Sequence, residues 1–260
     1  MGERMKTIGE IRAEFSDACA EDYPSLFEKY REDSRSGVVK LLEQYRKKEE
    51  ALKKEIARTE AMKAFEHKYE HLGYLCGIDE VGRGPLAGPV VAGAVILPKD
   101  CSILYINDSK QLSEKKREEL FEKIKSEALC YSIASVDEKT IDEINILNAT
   151  FLAMEKAVEG LKIHPDFVMI DGNRAPKHLY IPCQTVVKGD AKSASIAAAS
   201  ILAKVSRDRF MLEMAEKYPE YCFEKHKGYG TKLHYEMLDK YGVSEIHRKS
   251  FLKSWYAKNE

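Results

Sequence analysis

Apolar positions change period near residue 70. Before it, they recur at helical spacing. Val38, Val39, Leu41, Leu42 and Tyr45 open an amphipathic segment that continues through Leu52, Ile56 and Met62, with Lys, Glu and Arg between them. Ser34-Arg35-Ser36-Gly37 marks a break ahead of that helix, and no proline lies between Pro24 and Pro85. Residues 1–70 are therefore expected to form a helical N-terminal extension. No heptad is sustained long enough for a coiled coil.

After it, short apolar runs alternate with helical patterns. Strands are predicted over Tyr74–Ile78, Val90–Leu97, Leu129–Val136 and Phe167–Ile170, with a short one at Thr185–Val187. Helices are predicted over Ser113–Ser126, with Ser113 as N-cap and Lys116 and Arg117 facing outward, and over Thr140–Lys162. A long Ala- and Ser-rich helix runs from Ser195 to about Tyr218. Lys232–Tyr241 and Glu245–Ala257 add helix at the tail. Hairpin-like strands followed by alternating helix and strand imply an α/β domain with a mixed sheet over residues 71–260.

Acids fall at the ends of the apolar runs. Asp79 and Glu80 follow the first, Asp171 follows the fourth, and Asp190 stands just before the Ala-rich helix. Strand carboxyl ends are where α/β sheets gather ligands. An acid after four apolar residues costs stability if buried unpaired. Four converging carboxylates tolerate one another when cations sit between them, and an all-oxygen set favours Mg²⁺ or Mn²⁺ over zinc. Each acid alone also reads as a turn or cap residue. Strand alternation sends Asp79 and Glu80 to opposite faces, so both reach one site only if the strand bends or ends there.

The net charge of −1 gives no global signal for a polyanionic partner. Basic residues are local: Arg174, Lys177, Lys188, Lys192, Lys204, Arg207 and Arg209, then Lys225-His226-Lys227, then His247-Arg248-Lys249. These read as solvated faces or as contacts to a phosphate backbone. Tyr229, between Gly228 and Gly230, presents a ring that can stack on a base or sugar. The six cysteines form no CxxC pair and read as buried, reduced thiols. The start has no apolar signal core, and the longest apolar stretch, Pro89 to Pro98, is too short to span a bilayer. A cytoplasmic, soluble monomer is expected.

With these pieces assembled, the chain closely resembles bacterial ribonuclease HII. The matching segments are Asp79-Glu80-Val81-Gly82-Arg83-Gly84-Pro85, Asp108-Ser109-Lys110, Asp171-Gly172, Lys188-Gly189-Asp190-Ala191-Lys192, Ala198–Val205, His226-Lys227-Gly228-Tyr229-Gly230-Thr231 and His247–Phe251. The sister family, ribonuclease HIII, typically carries a Ser-Gly-Lys-Gly run where this chain has Val81-Gly82-Arg83-Gly84. The resemblance does not cover residues 1–70. It implies a ribonuclease H-like fold in which Asp79, Glu80, Asp171 and Asp190 hold two Mg²⁺ or Mn²⁺ ions. It also implies cleavage of the RNA strand of RNA–DNA hybrids, and cleavage 5′ of single ribonucleotides in duplex DNA. Gly82-Arg83-Gly84 would read the ribose 2′-hydroxyl, Tyr229 would sense the RNA–DNA junction, and Lys110, Lys192 and Lys227 would join them in binding substrate. The competing expectations are a nucleic-acid-binding or partner-docking protein with a structural metal, or another two-metal nuclease of this fold.

Overall fold

The computed structural model describes residues 4–259. By contact density the chain divides between Glu60 and Ala61. The first unit holds α1 (Ile8–Asp17), α2 (Tyr23–Lys29) and most of α3 (Ser36–Ala61). Thr7 opens α1 with a reciprocal capping box to Glu10. Apolar faces of the three helices meet around Phe15, whose ring lies 4.7 Å from that of Tyr45.

The second unit begins with α4 (Ala64–Tyr69) and contains five strands: β1 (Leu75–Val81), β2 (Val90–Ile96), β3 (Cys130–Val136), β4 (Phe167–Asp171) and β5 (Cys183–Val186). Their order in the sheet is β3-β2-β1-β4-β5. β1–β2 and β2–β3 are antiparallel, while β1–β4 and β4–β5 are parallel, so the sheet is mixed as expected.

Helix α5 (Glu114–Glu127) starts at the predicted cap, where Ser113 accepts from Lys116 N–H. Arg117 does not face outward: it folds back to donate to the carbonyls of Ser109 (3.0 Å) and Leu112 (2.6 Å). Helix α6 (Glu138–Glu159) is not one continuous helix. Asn145 has φ +66, and its side chain accepts from Leu147 and Asn148 N–H, which caps a second helical segment.

Helix α7 (Ala194–Lys217) lies on the face opposite α6. Cys76, Ile78, Ala92 and Ala94 pack toward Ala149, Ala153 and Met154 of α6. Gly77 and Gly93, on the other pleat face, let α7 touch the sheet backbone. A Cβ at Gly77 would collide with the Ser195 and Ile196 backbone, and one at Gly93 would sit 2.5 Å from the Ala199 carbonyl oxygen.

Helices α8 (Phe223–His226) and α9 (Lys232–Tyr241) follow, with α9 at its predicted bounds. The predicted helix over Glu245–Ala257 is broken. It comprises a 3₁₀ turn at Lys249–Phe251 and then α10 (Lys253–Asn259). The reason is Arg248, which sits in extended backbone so that its side chain can reach the β1–β2 connection. These terminal elements share a small core of Leu86, Met211, Tyr221, Phe223, Leu238 and Leu252.

The cysteines are unpaired, but only Cys76, Cys101 and Cys130 are buried; Cys19 and Cys183 are exposed. No described helix is long and apolar enough to cross a membrane.

Candidate active site

The first correction concerns β1. Asp79 and Glu80 do not close it; they lie inside it. Pairing with β2 continues through Asp79↔Gly93, Glu80↔Ala92 and Val81↔Val91. Pairing with β4 stops at Ile78↔Ile170. The strand therefore keeps its pleat, and the two acids straddle the sheet where one side of the ladder has opened. Asp79 is on the α7 face and accepts from Ser200. Glu80 is on the α6 face, where Arg83 donates to it at 3.2 Å. Asp171, at the end of β4, lies between them: its charge acts on both. Neither a bend nor a strand end is needed.

Asp190 comes from the 3₁₀ turn Gly189–Ala191 that precedes α7. This turn is fastened to β4 by the Gly189 N–H, which donates to Asp171 at 2.6 Å. Asp171, at the carboxyl end of β4, thus acts on each of the other three predicted acids.

A fifth acid, Asp108, joins them and shares a hydrogen bond with Asp190. Its segment, Asp108-Ser109-Lys110, is tied to α7 through Ser109 Oγ and Ser200 Oγ, 2.9 Å apart. The matched Asp108-Ser109-Lys110 segment was the sequence signal for this residue.

The electrostatics follow from crowding. Burial, then Glu80 and then Asp171 push the Asp79 carboxyl well above the usual range. Burial also raises Glu80; Arg83 opposes this and Asp171 adds to it. Asp190 is pushed up to about 6 by burial, then by Asp108 and Asp171. Burial alone would lower the Lys110 ammonium, but Asp108, Asp79, Asp190 and Asp171 outweigh it and raise it.

This is an oxygen-only donor set with a surplus of negative charge, which fits a hard divalent cation. Among the described residues, no three His, Cys, Asp or Glu side chains are placed together so as to hold a metal ion by themselves. Mg²⁺ keeps several waters and is usually bound through one or two carboxylates plus substrate oxygens, so it does not need a group of three protein ligands. A cleft of about 390 Å³ opens beside Glu80 and Asp171 and is lined also by Arg83, Gly172, Asn173 and Arg174. A mainly apolar cavity of about 350 Å³ lies at the other end of β1, around Leu75, Pro98 and Ser195, remote from the acids.

The Gly82–Pro89 connection is held from behind by two arginines, each 0 % exposed. Arg248 donates to the carbonyls of Gly88 (2.9 Å), Arg83 (3.1 Å) and Gly82 (2.6 Å). Arg207 donates to those of Pro89 (3.0 Å), Ala87 (3.1 Å) and Lys227 (3.0 Å). Gly82 has φ +89, and a Cβ there would strike the Arg207 side chain, so the turn requires glycine.

This overturns part of the phosphate-contact reading. Arg207 and Arg248 are internal, Arg209 pairs with Glu118, and Lys204 pairs with Asp208 at 2.7 Å. Arg83 remains half-exposed beside the acids. Lys110 and Lys192 are exposed, with Lys192 donating to the Val187 carbonyl at 2.8 Å. Lys227 donates to the Glu224 carbonyl. Tyr229 is 40 % exposed, and its ring edge comes within 4.0 Å of where a Cβ on Gly84 would stand. The Tyr229 ring edge therefore lies beside Gly84.

Two family models match the chain: Ribonuclease HII over residues 76–254 and Ribonuclease HII N-terminal domain over residues 7–70. A Ribonuclease HII of Clostridioides difficile is 51 % identical over 251 residues, covering 96 % of this chain and 98 % of its relative. That of Endomicrobium trichonymphae is 62 % identical over 190 residues, covering 72 % and 90 %. The crystal structure of ribonuclease H2 from Pyrococcus horikoshii OT3 superimposes with a TM-score of 0.57 at 30 % identity, covering 68 % of this chain and 92 % of that one.

Proposed function

This chain belongs to the ribonuclease HII family of metal-dependent endoribonucleases acting on RNA–DNA hybrids, and on that premise we propose that it also cuts 5′ of single ribonucleotides embedded in duplex DNA. The observation that carries the reading is the action of Asp171 on Asp79, Glu80 and Asp190, whose carboxyls are all raised. These four acids would hold two Mg²⁺ or Mn²⁺ ions. The chemistry they would supply is activation of a water and neutralisation of the charge that develops on the phosphate and the leaving oxygen. The products carry a 5′-phosphate and a 3′-hydroxyl.

The rest of the work falls to the chain's own groups. The Gly82-Arg83-Gly84 backbone reads the ribose 2′-hydroxyl, a group that both donates and accepts. Arg248 already engages the Gly82 and Arg83 carbonyls, so the loop meets its ligand in a fixed pose. Arg83, Lys110, Lys192 and Lys227 contact phosphates. Tyr229 stacks on the deoxyribose 3′ to the ribonucleotide, where a 2′-hydroxyl would be poorly solvated. Residues 1–70 act as an accessory module that raises affinity for the duplex, and residues 71–260 carry the chemistry.

The test is cleavage of a duplex with one ribonucleotide under Mg²⁺, Mn²⁺ and chelator. Cutting with either ion, none with chelator and none of an all-DNA duplex is expected. Asp79→Asn should abolish cutting while duplex binding survives. Cleavage retained in that variant would sink the reading.

A further inference from the structure

Three buried histidines lie beneath the Tyr229 loop. His226, His234 and His247 are 7 %, 0 % and 2 % exposed. The rings of His226 and His234 stack at 4.3 Å, and His234 Nε2 lies 3.0 Å from His247 Nε2.

The hydrogen bonds around them leave one consistent set of tautomers. The Ser244 backbone N–H can only donate, and it points at His247 Nδ1 at 2.8 Å. His247 must therefore carry its proton on Nε2 and donate to His234 Nε2. His234 then carries its proton on Nδ1 and donates to the Tyr229 carbonyl at 3.0 Å. His226 is set the same way: its Nδ1 accepts from Gly228 N–H, and its Nε2–H donates to the Tyr221 carbonyl at 2.9 Å. Burial first, and then the neighbouring rings, lower His234 to about 4 and His247 to about 3, in keeping with neutral rings.

The chain of donors ends on the backbone of Tyr229, whose ring edge lies beside Gly84. The Tyr229 carbonyl takes two donors, His234 Nδ1–H and Thr231 N–H at 2.8 Å. The Tyr229 N–H donates to the His226 carbonyl at 2.9 Å. Its ring is 40 % exposed, with the Arg207 guanidinium 5.8 Å from its centroid, so the backbone clamp is what ties the residue to the histidines.

We infer that His234, with its tautomer set by His247, is a positioning residue that fixes Tyr229 beside Gly84 and thereby sets the preference for a single ribonucleotide over a continuous hybrid. The inference rests on Tyr229 being the junction-sensing ring, so its test separates the two ideas.

The experiment compares full-length wild type, His234→Phe, His234→Asn, His247→Phe and Tyr229→Ala. It measures cleavage of a one-ribonucleotide duplex and of a continuous hybrid, and amide hydrogen exchange over residues 226–231. An asparagine amide can still donate to the Tyr229 carbonyl; a phenyl ring cannot. His234→Phe should speed exchange in the loop and lower single-ribonucleotide cleavage about tenfold relative to hybrid cleavage, the effect of losing one net hydrogen bond. His234→Asn should recover most of that ratio, and His247→Phe should fall between. Retained hybrid cleavage reports that the variants are folded. If His234→Phe does not fold, His234→Asn and His247→Phe decide: equal ratios in the two overturn the proposal. Equal losses on both substrates in His234→Phe where Tyr229→Ala loses more on the single ribonucleotide, or unchanged loop exchange, also overturn it. Faster loop exchange in His234→Phe, with equal losses on both substrates in Tyr229→Ala, would uphold the positioning role and remove the junction role of the ring.

Discussion

Replacing Arg248 by lysine tests whether the catalytic loop is held by a shape or merely by a charge. The guanidinium sends three nitrogens to three carbonyls on the β1–β2 connection, at Gly82, Arg83 and Gly88, and is fully buried. Burial first, and the neighbouring Arg207 second, lower it to about 9, so it stays charged at neutral pH. Lysine keeps the charge but offers one nitrogen, which cannot span acceptors at both ends of the loop. At least one buried carbonyl then loses its partner, at about 1–3 kcal/mol, and the surviving contact is poorer. A total of about 2–4 kcal/mol lowers Tm by roughly 4–16 °C for a unit of this size. Because the loop should meet the ribose, KM for a one-ribonucleotide duplex should rise more than kcat falls. Thermal unfolding followed by circular dichroism, with steady-state kinetics on the same preparations, checks both. A variant that melts within a degree of wild type and keeps its KM would refute the reasoning. Arg248→Met, which leaves all three carbonyls bare, should be worse than Arg248→Lys by both measures.

Asp79→Asn should raise the metal-free Tm while abolishing cleavage, because it removes one of several repelling carboxylates; a lower metal-free Tm would count against the crowded-acid reading. Truncation to residue 61 should keep metal-dependent cleavage, whereas truncation to residue 71 should lower it further. The second cut removes Met62, whose carbonyl accepts from Ala194 N–H, and Glu66, whose Oε1 takes Ser193 Oγ–H at 2.6 Å and Ser195 N–H at 2.9 Å. Equal activity in the two truncations would show that this hold on the start of α7 is dispensable. His234 and His247 titrate far below their unfolded value of 6.5, so their stabilisation is complete above pH 6.5 and is lost as pH falls toward about 4 and about 3. Between pH 7.5 and 5.5 this costs on the order of 1 kcal/mol per histidine. Urea unfolding at the two pH values in chelator should show a smaller loss for His247→Phe than for wild type, and an equal loss would contradict the neutral cluster.

What could be read from the chain was local. Ser113 as a cap and α9 between Thr231 and Gly242 follow from neighbouring residues. Asp79, Glu80 and Asp171 stood out because they interrupt or end an apolar run and Asp190 because it precedes the Ala-rich helix, and Asp171 acts on each of the other three. What could not be read depends on pairing across the fold. Whether β1 ends at Ile78 or Val81 is decided by β2 on one side and β4 on the other, and the two disagree. Arg207 and Arg248 looked like phosphate ligands because charge is visible in a sequence and enclosure is not. Asn145 broke a helix whose apolar spacing continued straight through it. The three histidines, at 226, 234 and 247, share no period and meet only because α8, α9 and the following turn fold onto one another.

The seat of α7 on Gly77 and Gly93 has a mechanical consequence. Asp79 lies two residues beyond Gly77, and Asp190 stands a few residues ahead of the helix that rests there. Backbone touching backbone leaves no side chain between them to relax. The spacing of these acids is therefore set like that of two marks on one gauge block, nearly insensitive to temperature or to repacking elsewhere. Adaptation to heat, cold or a new substrate would have to be made in the Gly82–Pro89 connection and the Tyr229 loop, where side-chain hydrogen bonds from Arg207, Arg248 and His234 share the positioning with packing.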